Sequence, residues 1–136
     1  MTTAFSQAWL GKLRGVGQQP KAKYGNKKVK GFDVDGKVIT FDSKREAKRW
    51  GELVARRKAG EIDSLERQIP FLFEIDGEYL TYVGSNRKVK FVLDFKYREV
   101  ASDEWVFEDA KGMRTDAYKL KQALMDWVHG IEVLEI

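Results

Sequence analysis

The chain has no cysteine, which excludes disulfides, thiolate metal sites and thiol catalysis together. Its one histidine, His129, falls where a predicted helix ends, a place where the dipole favours a cation, so no imidazole chemistry is assigned to it. No apolar run approaches the roughly twenty residues needed to cross a bilayer. The first residues carry Phe5, Trp9, Leu10 and Leu13, but no continuous apolar stretch with a small-residue cleavage site, so no secretory signal is read there. The absences together suit a cytoplasmic protein. Acidic residues are also missing at the start: none precedes Asp33, while Lys12, Arg14, Lys21, Lys23, Lys27, Lys28 and Lys30 all do. Each Lys or Arg that neutralises a phosphate releases a condensed counterion, so this uneven placement points to nucleic acid more than the net charge of +4 does. A solvated basic tail is the competing reading.

A chain of 136 residues suffices for one domain with a modest core and is too short for two. Residues 1–30 read as a flexible basic arm, with a short helix where Ala4, Phe5, Ala8, Trp9 and Leu13 recur at helical spacing. Residues 31–136 read as the folded domain. Phe32 to Phe41 is expected to form a hairpin around Asp35-Gly36. Ser43 then opens a helix, with Glu46 as a capping-box acid, an apolar face of Ala47, Trp50, Gly51 and Val54, and a stop at Gly60. Strands follow from Gln68 to Ile75, Glu78 to Val83, Val89 to Tyr97 and Glu104 to Ala110. A second helix is expected from Asp116 to His129, capped by Thr115 and Gly130, with Ala117, Leu120, Leu124, Trp127 and Val128 inward. Ile131 to Ile136 is a last short strand. Without its hairpins the order is helix, three strands, helix, strand, which makes an α/β domain with a mixed central sheet flanked by helices.

The residues that could do chemistry are carboxylates. An acid two residues before a lysine occurs at Asp35, Asp42, Glu46, Asp94 and Asp109. Chance would supply roughly two or three such pairs, so only their structural context carries meaning. Asp35 is in a turn, Asp42 stands before a helix, and Glu46 and Lys48 lie on a helix, where such neighbours do not share a face. Asp94 interrupts the apolar run Phe91-Val92-Leu93-Asp94-Phe95, where an acid is costly unless it is paired or metal-bound. Asp109 and Lys111 share a strand face with Trp105 and Phe107, while Val106, Glu108 and Ala110 point the other way. Polar groups thus gather at the C-terminal end of that strand, where open α/β sheets bind ligands. Glu46 precedes Trp50 and Leu53 by one and two helical turns, so it can face the sheet.

Asp94, Asp109 and Glu46 are hard oxygen ligands that suit Mg²⁺ or Mn²⁺, which polarise a phosphate and acidify bound water. Lys111 can orient or deprotonate that water and offset developing charge. Competing readings stay open: Glu46 as a helix cap only, Asp94 as an ion-pair partner of Lys96 or Arg98, and Glu108 in place of Asp109 as ligand. Lys27, Lys28, Lys44, Arg114, Lys119 and Lys121, with Tyr118, are candidate phosphate contacts or a solvated surface.

With Glu46 on the first helix, Asp94 on a middle strand and Asp109-Ala110-Lys111 on the next, the chain resembles the PD-(D/E)XK nuclease superfamily. Tyr24-Gly25-Asn26-Lys27-Lys28, Phe41-Asp42-Ser43-Lys44-Arg45-Glu46-Ala47 and Glu108-Asp109-Ala110-Lys111-Gly112 resemble small phage-encoded endonucleases of that type, some of which are Holliday-junction resolvases. The resemblance implies a restriction-endonuclease-like core (αβββαβ) over residues 31–136. It also implies catalysis by Glu46, Asp94, Asp109 and Lys111, a Mg²⁺ or Mn²⁺ cofactor, branched DNA as substrate in recombination, a homodimer, and the host cytoplasm as its place. Leu93 stands where the motif has proline, and Asp109 where glutamate is usual. Two alternatives are carried forward: a duplex or site-specific endonuclease of the same fold, and a non-catalytic DNA-binding module.

Overall fold

A computed structural model describes residues 27–110 and 113–136. Lys111, Gly112 and the arm up to residue 26, with its expected helix, lie outside the described residues. The described residues form an α/β structure with a mixed sheet and two helices. In order its elements are β1 (Val29–Phe32), β2 (Val38–Phe41), α1 (Lys44–Lys58), β3 (Ile62–Leu72), β4 (Glu74–Ile75), β5 (Glu78–Tyr79), β6 (Lys90–Glu99), β7 (Trp105–Asp109), α2 (Asp116–His129) and β8 (Leu134–Glu135). The main sheet runs β3-β6-β7-β8, antiparallel except for the parallel pair β7 and β8. The ribbons β1-β2 and β4-β5 are separate. Among the described residues, no helix is long and apolar enough to cross a membrane.

Local chemistry sets both helix starts. The Ser43 hydroxyl accepts the Glu46 N–H at 3.1 Å, and the Thr115 hydroxyl accepts the Tyr118 N–H at 3.1 Å, each satisfying a backbone donor that the first turn cannot use. Gly130 closes α2 at φ 66°, a left-handed conformation that costs glycine little.

Two apolar clusters hold the layers together. Under α1, Trp50 and Leu53 meet Phe41, Ile62, Phe95 and Tyr97. Under α2, Tyr118 and Met125 meet Phe73, Val89, Phe91, Leu93 and Val133. Alternation along β6 supplies both, since Phe91, Leu93, Phe95 and Tyr97 form its buried row. Each such side chain contributes about 1.5–3 kcal/mol on leaving water. Trp50 stacks on Phe95 with centroids 5.9 Å apart, and its indole N–H donates to the Phe32 carbonyl at 2.9 Å. That bond ties the β1-β2 ribbon to α1.

Four expectations need correction. Val29 and Lys30 pair with Phe41 and Thr40 in the first described ribbon, so these two residues belong to the folded domain and not to an arm reaching residue 30. The first core strand begins at Ile62 and not at Gln68. A bulge between Asp63 and Glu66, with Ser64 at φ 54°, breaks the alternation that would have revealed its first half. On α2 the inward residues are Tyr118 and Met125, with Leu124 and Val128 partly covered, whereas Leu120 is 64% and Trp127 73% exposed and Ala117 is exposed as well. The helix carries apolar residues on two sides, and its period cannot tell which side meets the sheet. On α1, Gly51 is exposed and Leu53 takes the inward place.

Candidate active site

Asp94 lies near the middle of β6, one step from Phe95, which pairs with Glu108 on β7 and with Arg67 on β3. The same registers set Asp109 beside it on one strand and Gln68 beside it on the other. Hydrogen bonds tie the row: the Asp94 N–H donates to Asp109 Oδ1 at 3.3 Å, and the Ala110 N–H donates to Asp94 Oδ2 at 2.8 Å. On the far strand Glu135 pairs with Asp109, and Arg114 holds Glu135 at 2.9 Å. Polar residues of four adjacent strands therefore stand on one line across the sheet.

Glu46 joins this line from α1. Gln68 Nε2 donates to Glu46 Oε1 at 3.1 Å and to Asp94 Oδ1 at 3.0 Å, so those two carboxylate oxygens are no farther apart than the two bonds laid end to end. Arg67 Nη2 stands 3.9 Å from Glu46 Oε1, and its guanidinium lies over the Phe41 ring at 5.0 Å. Glu46 is 4% exposed. Burial, then the charges of Asp94 and Asp42, push its carboxyl up to about 7, with Arg67 and a hydrogen bond from the Asp42 backbone pulling the other way.

Asp109 is equally buried at 4%. Tyr118 faces it: burial first, then the Asp109 charge and a hydrogen bond to Asp109, raise the phenol above its ordinary value. Tyr118 is thus a buried neighbour of the acids, and the phosphate contact expected of it is corrected.

Glu108 has a different task. It is 2% exposed, and Arg49 grips it with two bonds, Nε to Oε1 at 2.8 Å and Nη2 to Oε2 at 2.7 Å. The Tyr97 hydroxyl donates to Oε2 at 2.6 Å, and burial followed by that bond pushes the phenol up to about 12. This saturated clamp between α1, β6 and β7 leaves Glu108 as a structural acid and Asp109 as the ligand candidate. Lys96 and Arg98 pair elsewhere, with Glu66 and with Asp63 and Asp103, so Asp94 is not their ion-pair partner.

Of the predicted site residues, Glu46, Asp94 and Asp109 are brought together, and Lys111 lies outside the described residues, two positions beyond Asp109. Among the described residues, no three His, Cys, Asp or Glu side chains are arranged to hold a metal ion by themselves. The donor chemistry nevertheless fits a hard divalent cation, since the Asp94 charge that helps to raise the proton affinity of buried Glu46 would be offset by one. Lys27, Lys28 and Lys44 are exposed, Lys44 two residues from Glu46. Arg114 and Lys119 are exposed and Lys121 is half-buried. Gln68, Arg67, Arg49 and Glu135 were not singled out from the sequence. A strand drawn from Ile62 and paired with β6 would have set Gln68 beside Asp94.

The family model described as "Protein of unknown function (DUF1064)" matches residues 21–130. Neither a curated protein nor a solved structure matches the chain.

Proposed function

The chain belongs to the DUF1064 family, and because that family's description carries no activity, we propose from the residues themselves that the protein is a Mg²⁺- or Mn²⁺-dependent DNA endonuclease of the PD-(D/E)XK type. The observation that carries this reading is the meeting of Glu46 with Asp94 and Asp109 at the end of β7, with Lys111 two residues further on. The order α1, β3, β6, β7, α2, β8 supports it, being the αβββαβ succession of that fold.

Glu46, Asp94 and Asp109 would hold the cation, which when bound polarises the scissile phosphate and acidifies water. The chain's own groups supply the rest. Lys111 orients the attacking water and offsets charge on the phosphate oxygens. Lys27, Lys28 and Lys44, together with Arg114 and Lys121, take the DNA backbone and read its shape more than its bases, while Lys119, first expected among them, is given to the subunit contact. Branched DNA is the proposed substrate.

A second copy of the chain is the proposed partner. Ala117, Leu120, Ala123 and Trp127 form an exposed apolar row on α2 directed away from the core. Two antiparallel copies of α2 would set Leu120 against the partner's Trp127, and on one flank the exposed Lys119 opposite the partner's Asp126. Wild type is expected to sediment as a dimer and Trp127→Glu as a monomer. Lys119→Glu and Asp126→Lys should each weaken the dimer, and the double swap should restore it. A monomeric wild type would remove this interface.

Labelled four-way junction, flap, duplex and single strand, incubated with Mg²⁺ or EDTA, test the main reading. Cutting of the junction in Mg²⁺ alone, lost in Lys111→Ala, is the expected result. Equal cutting of linear duplex would remove the branched-DNA preference. Binding without cutting in Mg²⁺ and in Mn²⁺ would leave a DNA-binding module.

A further inference from the structure

We propose, resting on the nuclease reading, that Gln68 is a positioning residue for the cation site: one side-chain amide, donating to Glu46 and Asp94 together, fixes the helix carboxylate against the sheet carboxylate before any cation arrives.

The two acids come from different elements, α1 and β6, and Gln68 on β3 bonds both at 3.1 and 3.0 Å. A primary amide has two N–H donors, and both are spent here. An arginine or lysine in this place would carry a charge competing with a divalent cation, whereas an amide orients the carboxylates without neutralising them. Each Asp94 oxygen already accepts one hydrogen bond, from Gln68 and from Ala110, and each retains a second lone pair.

The backbone supplies an independent observation. Gln68 has φ 54° inside a strand. Among the described residues the other non-glycine positions with positive φ are Ser64, Asp76 and Asp103, all short polar residues. Aspartate tolerates that region better than most residues do, and glycine best of all. A long side chain is the costly choice for the backbone alone, and such strain persists where the side chain is needed. Because the bond to Asp94 crosses between neighbouring strands, the left-handed turn of the chain at Gln68 re-aims the amide toward both acids.

A merely structural role and a positioning role predict opposite things for Gln68→Gly. The full chain, free of DNA, is titrated with Mn²⁺ and followed by electron paramagnetic resonance, its thermal midpoint is measured in EDTA, and junction cleavage is run in parallel. Gln68→Gly is expected to bind Mn²⁺ roughly 10- to 100-fold more weakly, as loss of an orienting partner does elsewhere. Its midpoint should be at or above that of wild type, because glycine relieves the φ. Gln68→Asn, with the same donors on a shorter arm and better tolerance of positive φ, should recover part of the affinity. Unchanged Mn²⁺ affinity in Gln68→Gly, or a midpoint falling together with affinity, overturns the positioning role while leaving a wild type that binds and cuts as a nuclease. A wild type that neither binds Mn²⁺ nor cuts any of the four DNAs sinks the nuclease reading and this role with it.

Discussion

Asp94→Asn is expected to lower single-turnover cleavage of the preferred DNA by roughly 10³-fold while leaving the fold intact, on the scale seen when a charge-stabilising group is removed from a reaction centre. The substitution keeps size and shape and removes one negative charge. The asparagine oxygen can still accept the Ala110 N–H, now held by Asp94 at 2.8 Å. Its amide nitrogen, however, turns a donor toward the Gln68 amide, which itself donates to Asp94 Oδ1. Gln68 can answer only by flipping, and then Glu46 loses its donor. The site therefore loses a ligand charge and the orientation of a second ligand in one step. Backbone pairing of β6 with β3 and β7 does not depend on the side chain, so the thermal midpoint in EDTA should move by a few degrees at most. Removing a charge that faces buried Glu46 should even raise it slightly. The double variant Asp94→Asn, Asp109→Asn should be little slower than either single one, since residues that act as a unit lose their effect together. Cleavage at the wild-type rate in Asp94→Asn would remove the site assignment.

How much of this could be read from the sequence depended on whether a signal was local. Ser43, Thr115 and Gly130 act on their own helix ends, and their elements start and stop where expected. The nearness of Asp94 and Asp109 was legible because both sit on strongly apolar strands joined by a short connection, which pair antiparallel. Gln68 was hidden because its strand is interrupted by the bulge at Ser64, and a strand without alternation does not announce its register. The inward side of α2 was hidden for another reason. Leu120 and Trp127 are spaced as Tyr118 and Met125 are, and only the long-range contact of Tyr118 with Phe91 decides between the two sides. Glu108 and Asp109 could be separated by strand parity, but not by strength. That Glu108 is committed to Arg49 and Tyr97 follows from an α1 residue fifty-nine positions away, which no local pattern reports.

Glu46→Gln is expected to make the metal-free protein more stable at pH 8 and to abolish its stabilisation by Mg²⁺. In the fold the Glu46 carboxyl is raised from 4.5 to about 7, chiefly by burial and by the facing Asp94 charge. The folded state thus holds this proton more tightly than the unfolded chain does, so its contribution to stability is fully present below the unfolded value of 4.5. It declines as pH rises through the window up to about 7, and above that the full cost of ionising a buried acid is in place. A shift of this size corresponds to about 3 kcal/mol. Glutamine has no proton to lose and can still accept from Gln68, so the variant's midpoint should be flat between pH 5 and 8. At pH 8 it should exceed the metal-free wild type by up to about 10 °C. A divalent cation that binds only the folded state stabilises it by about 2.7 kcal/mol at a hundredfold excess over its Kd. Wild type at pH 8 should therefore regain with Mg²⁺ most of what ionising Glu46 cost it, while Glu46→Gln gains little and does not cut DNA. Calorimetric midpoints of both proteins across that pH range, with Mg²⁺ and with EDTA, decide the matter. A difference between wild type and variant that does not widen with pH, or equal Mg²⁺ stabilisation in both, would mean that Glu46 is a helix-end acid and takes no part in holding the cation.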